Sequence, residues 1–162
     1  MIQAIKGSAH SLAQTDILGT AVDGAGVVEG DLVYKNATGG IEKVAKLDNA
    51  TRGSAGNKLS DGVLVGFAVT TQEYGDAIES GKIGVYALDG SSVIGTDRFT
   101  GTVVQADVGK PVVQDGNSGK DGYVTVVAAG TAERVIGHVF DVPRVVFVGQ
   151  TPVSILPIKL AA

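Results

Sequence analysis

The chain has 162 residues, 44% hydrophobic and 19% charged, a balance that describes one folded domain and excludes a disordered tract. It contains no cysteine, which excludes disulfide scaffolds, thiolate zinc sites and thiol nucleophiles. Its formal net charge of −4 opposes binding to nucleic acid or to an anionic membrane through bulk charge.

No apolar run approaches the ~18 residues of a membrane helix, and Met1–Gly7 lacks the apolar core of a signal peptide. Valine occurs 25 times against 9 leucines, and glycine 24 times. The branched Cβ of valine suits a pleated sheet, whereas leucine dominates helices. Glycine interrupts helices and supplies the positive φ angles of tight turns. The expected fold class is therefore all-β, a small β-barrel or β-sandwich of short antiparallel strands, with at most one short helix.

Residues 1–26 are weakly patterned and read as an N-terminal arm or first strand. Met1–Leu18 carries too few large apolar residues to form a core of its own. Such a segment either adds a strand to a partner's sheet edge or packs as the first strand of its own domain. The domain proper is expected over 27–162. Val27–Tyr34 is a turn feeding a strand, Asn36–Gly40 a hairpin turn, and Ile41–Ala45 the return strand. Residues 47–62 form a polar loop rich in Gly, Asn and Ser. Val63–Val69 is a buried strand. Gln72–Ser80 is the one candidate helix, with Thr70 or Thr71 as its cap. Lys82–Leu88 is a further strand, closed by Asp89-Gly90.

The second half repeats this order. Asp107–Val113 answers Val28–Tyr34, Asp115–Gly119 is its turn, and Tyr123–Val127 its return strand. Glu133–Phe140 answers Val63–Val69, each an apolar strand with a central glycine. Two copies are too few for a solenoid and suit a barrel or sandwich with internal similarity. Arg144–Val148, a turn at Gly149–Pro152 and Val153–Leu160 close the chain. Pro157 marks the last of these as an edge strand, because proline lacks a ladder donor.

The sites of known chemistries are incomplete. Gly24-Ala25-Gly26-Val27-Val28-Glu29-Gly30 approaches a dinucleotide fingerprint, but its last glycine falls one residue late and no long helix follows. Asp115, Asn117 and Asp121 are spaced like the first ligands of a calcium loop. Lys120 stands where that loop needs glycine and Val126 where it needs its closing acid, so a solvated hairpin tip is expected. His10 and His138 are the only histidines, and neither accompanies a nucleophile and an orienting acid. Gly53-Ser54-Ala55-Gly56 falls short of a nucleophile elbow. With no tryptophan and only Tyr34, Tyr74, Tyr86 and Tyr123, the stacking platform of a sugar-binding sandwich is thin. Asn36-Ala37-Thr38 and Asn49-Ala50-Thr51 match the glycosylation pattern and are read as turn chemistry. The expectation is no catalytic residue, no metal and no cofactor.

Four segments resemble the head decoration proteins, or capsid cement, of tailed bacteriophages. They are Val28-Glu29-Gly30-Asp31-Leu32-Val33-Tyr34, Gly62-Val63-Leu64-Val65-Gly66-Phe67-Ala68, Asp107-Val108-Gly109-Lys110-Pro111-Val112-Val113, and Val135-Ile136-Gly137-His138-Val139 with the Val-rich strand after it. Together they cover roughly residues 27–160. The resemblance implies a small β-barrel or sandwich that binds the outside of an assembled shell, often as a homotrimer, and that is not an enzyme. It implies the major capsid protein as partner, and the virion surface as location after synthesis in the host cytoplasm. Nucleic acid and membrane are not expected partners. The insertion at 47–62 is longer than the family pattern. The alternative is a β-sandwich adhesin or phage fibre domain that binds a host surface.

Overall fold

Thirteen strands and one short 3-10 turn, Gln105–Asp107, make up the regular structure of the residues described by the computed structural model: 1–6, 13–17, 26–35, 41–44, 63–69, 82–117, 119–131 and 133–161. The expected turn at Asn36–Gly40, the loop 47–62 and the helix at Gln72–Ser80 lie outside the described residues. The protein is all-β, as valine and glycine usage predict.

The larger sheet runs in the order β1 (Ile2–Lys6), β7 (Val93–Thr96), β13 (Thr151–Leu160), β11 (Gly137–Val139), β9 (Pro111–Gln114), β10 (Val124–Val126) and β8 (Phe99–Thr100), with β12 (Arg144–Val148) paired to the first half of β13. The smaller sheet runs β2 (Ala13–Ile17), β6 (Lys82–Ala87), β5 (Val63–Ala68), β3 (Leu32–Lys35) and β4 (Ile41–Lys43). Every pairing is antiparallel except β8 with β10.

Alternation along β3 joins the two sheets. Leu32 and Tyr34 enter a core cluster with Phe67 from the smaller sheet and Ile94, Val112 and Leu156 from the larger one. Val33, between them, enters a second cluster with Ile41 and Val85. Successive side chains of a strand face opposite ways, so one short strand serves both clusters. Two backbone hydrogen bonds tie the β9–β10 connection to this region, Leu32 N–H to Gly122 O at 2.7 Å and Gly122 N–H to Val44 O at 2.8 Å, and Val44 N–H to Leu32 O at 2.9 Å closes the set.

The internal repeat has a structural counterpart. β3 pairs with β4 on one side and β5 on the other. β9 pairs likewise with β10 and β11. The central glycines of the two answering strands are both sites of close approach. A Cβ on Gly66 would stand 1.8 Å from Tyr86 O, and one on Gly137 2.5 Å from Lys159 O.

The described strands of the lead pair within the domain: β1 with β7 and β2 with β6. The Met1 amine also contacts Asp97 Oδ1 at 2.6 Å and Glu29 O at 3.0 Å. The last strand is not an edge strand at Pro157, because β7 and β11 flank its second half. The missing Pro157 N–H would point toward Phe140, the residue just before the interruption at Asp141–Pro143, so the loss is confined to one ladder bond past the end of β11. The Pro157 carbonyl still accepts Phe140 N–H at 2.9 Å. The last turn is shorter than expected, since Thr151 and Pro152 already belong to β13. Two strands, β7 and β8, arise where none is expected.

Candidate interaction surface

The distinctive surface feature is a two-stranded ribbon formed by β12 and the first half of β13. Val148 stands opposite Thr151, leaving a two-residue connection, Gly149-Gln150. Gly149 has φ 62° and no described non-glycine residue has positive φ. Glycine in the left-handed region at the first central position is the type II′ arrangement, whose twist matches that of the flanking strands. Arg144, at the base, reaches Gln3 Oε1 with Nη2 at 3.4 Å.

The second half of β13 lies between β7 and β11, whereas its first half pairs with β12. The ribbon thus extends past the sheet as a hairpin. Its register places Val145 and Phe147 on one face, across from Ser154 and Pro152. Arg144, Val146 and Val148 lie on the other face, across from Ile155, Val153 and Thr151.

These side chains are largely uncovered. Phe147 is 70% exposed, Val145 60% and Val148 49%. Further large apolar residues exposed among those described are Val104, Val108 and Phe140. Phe140 leads toward β12, and Val108 lies beside the Gly109 N–H that bonds Val139 O at 2.8 Å. Single exposed apolar residues are ordinary, but a cluster on one hairpin marks an interaction surface. Arg144 is the only charged residue from 144 to 155.

The two edges of the ribbon differ. Leu160 N–H bonds Ser92 O, and Ala161 N–H bonds Ile136 O, each at 2.8 Å. The even positions of β13 therefore direct their backbone groups toward β7, and the odd positions toward β11 and β12. Pro152 is an even position and offers no N–H to the free edge of β13. On β12 the pair beside a two-residue turn is hydrogen-bonded. Arg144, Val146 and Val148 thus bond β13, while the N–H and C=O groups of Val145 and Phe147 face outward.

The candidates for other chemistry disperse. Asp115 is buried and its carboxylate accepts Asn117 N–H at 2.8 Å, Asn117 Nδ2 at 2.7 Å and Thr100 Oγ1 at 2.5 Å, which is turn chemistry. His138 is exposed on β11, with Lys159 and Pro111 as register partners. Tyr34 and Tyr86 belong to the core or pack against it. His10, Tyr74, Gly53–Gly56 and both glycosylation patterns lie outside the described residues. Among the described residues no cluster of three His, Asp or Glu could hold a metal.

A polar pocket of about 330 Å³ lies between the sheets, lined by Asp31, Lys43, Arg98, Asp121 and Tyr123 among others. Its charges engage one another. Arg98 Nη1 donates to Tyr123 Oη at 2.9 Å, and Arg98 Nε stands 3.6 Å from Asp31 Oδ1. Lys120 Nζ lies 4.9 Å from the centre of the Tyr123 ring, within cation–π range. Burial pushes the Asp31 carboxyl up to about 6, against the pull of the Val28 N–H and Arg98.

Exposure of the ribbon could not be anticipated from the sequence, because Arg144–Val148 reads like any apolar strand. The chain matches no family model, no curated protein and no solved structure.

Proposed function

We propose that this chain is a decoration protein of a tailed-bacteriophage head, a structural protein that binds the outer surface of the assembled shell and stabilises it. The observation that carries the reading is the apolar ribbon, with Val145 and Phe147 uncovered on one face of a hairpin that extends past the sheet. An element of this kind stabilises whatever covers it, since burying apolar area is favourable at roughly 25 cal/mol per Å². The resemblance of residues 27–160 to capsid cement names the cover as the major capsid protein, with copies grouped as a homotrimer. A partner that binds only the assembled shell stabilises that state by mass action. Many copies on one lattice let modest contacts add up. In this reading the domain is a rigid base, and the face of the ribbon that carries Val145 and Phe147 is applied to the shell.

The experiment is electron microscopy of emptied phage heads, prepared without decoration protein and incubated with and without this chain. The reading predicts added density at regular lattice positions and heads that survive higher temperature. Bare heads at saturating protein would overturn it.

A further inference from the structure

We propose that the free edge of β12 is a self-pairing site, at which two copies of the chain join their ribbons into one four-stranded antiparallel sheet about a two-fold axis at Val146. The pairing goes beyond shell binding and needs no shell.

The edge itself carries the first part of the case. Among the described residues β12 pairs only with β13. Its outward N–H and C=O groups, on Val145 and Phe147, are the alternating set that an added strand uses. Monomeric proteins blunt such edges with proline, lysine or inward-pointing charge. Arg144–Val148 has none of these inside the strand. The other edge of the same ribbon is blunted, because Pro152 removes a donor there. One open edge and one blocked edge end the assembly at a pair of ribbons instead of propagating it into a fibre.

The side chains then select a second copy of β12, in the antiparallel sense. About an axis at Val146, Val145 lies opposite the second copy's Phe147, and Phe147 opposite its Val145. These aromatic and β-branched pairs are favourable cross-strand neighbours, and both fall on the same face of the joined sheet. The two Arg144 residues lie at opposite ends, about 13 Å apart at the rise of a strand. Parallel pairing in register would instead place Arg144 beside Arg144 at about 4.8 Å. The strand is thus self-complementary in one orientation and self-repelling in the other. The joined sheet presents Val145, Phe147 and Pro152 of both copies as one continuous apolar face.

The test is disulfide trapping in solution, which is clean because the chain has no cysteine of its own. Val146 meets its symmetry mate as a non-hydrogen-bonded pair with Cα atoms about 4.5 Å apart, inside the range of about 4.4–6.8 Å that a disulfide spans. Val145 meets its mate only diagonally, at about 7–8 Å. On mild oxidation of Val146→Cys we expect a covalent dimer on a denaturing gel, at least about tenfold more abundant than for Val145→Cys. Adding Val145→Pro to Val146→Cys removes an outward donor without touching the β12–β13 ladder. It should abolish the dimer at unchanged melting temperature. Equal crosslinking of the two single-cysteine variants, or a dimer that survives Val145→Pro, overturns the pairing. Neither outcome bears on shell binding, which is measured separately.

Discussion

The Asp31 carboxylate lies 3.6 Å from Arg98 Nε, and Arg98 does not hold it in its ordinary charged range. Asp31 is 2% exposed, and burial lifts its pKa from 3.8 to about 6. The folded state therefore binds this proton more tightly than the unfolded chain does. The contribution of Asp31 to stability is greatest below pH 4 and is lost as pH rises through 6. A shift of two units corresponds to on the order of 3 kcal/mol at pH 7. Asp31→Asn keeps an oxygen for the Val28 N–H, which the carboxylate now accepts at 2.8 Å. The variant should match the wild type near pH 4 and exceed it in melting temperature by a margin that grows up to pH 7. Parallel melting curves across that range would contradict this account of Asp31.

Gly137→Ala should destabilise the fold. The added Cβ would stand 2.5 Å from Lys159 O and 2.6 Å from Ile158 Cγ2. The backbone oxygen cannot swing aside, so β11 must shift from β13 at a cost of about 1–3 kcal/mol. Urea denaturation measures it as a lower midpoint with an unchanged slope.

Asp115→Ala should cost about 1–3 kcal/mol, because it leaves Thr100 Oγ1 and the Asn117 donors without their shared acceptor. Chelator treatment of the wild type should leave the melting temperature in place. A large drop on chelation would make Asp115–Asp121 a calcium loop after all.

The Val and Gly excess made the fold class readable, and the two answering sets of strands made the internal repeat readable. Both are properties of short-range pattern. β7 was missed because β1 and β13 flank it and all four of its residues are buried, so it has no polar alternation to announce it. The lead leaves arm and first strand both open in the sequence, because Ile2–Ala4 finds its register against Ile94–Thr96, a partner some ninety residues away. Pro157 misleads because its cost depends on where in the ladder it falls, and here it removes only one donor, opposite Phe140 past the end of β11. The ribbon posed the hardest case: apolarity marks Arg144–Val148 as a strand, and only the length of β13 beyond β7 shows that it lies outside the core.

Phe147→Ser tests whether the ribbon is kept for binding. Its side chain is 70% exposed, so the substitution should change stability by no more than about 0.5 kcal/mol. Ile158→Ala, in the same strand pair system but fully buried, should cost about 2–5 kcal/mol. Thermal melts of the two variants separate a surface role from a core role.

The most direct measurement is co-sedimentation of the wild type and Phe147→Ser with emptied phage heads over a range of protein concentrations. The account predicts saturable binding of the wild type in a fixed ratio to the capsid subunit. It predicts binding at least about tenfold weaker for Phe147→Ser, the loss expected of an aromatic anchor, with its melting temperature unchanged. Failure of the wild type to sediment with heads, or equal binding by both proteins, would contradict it.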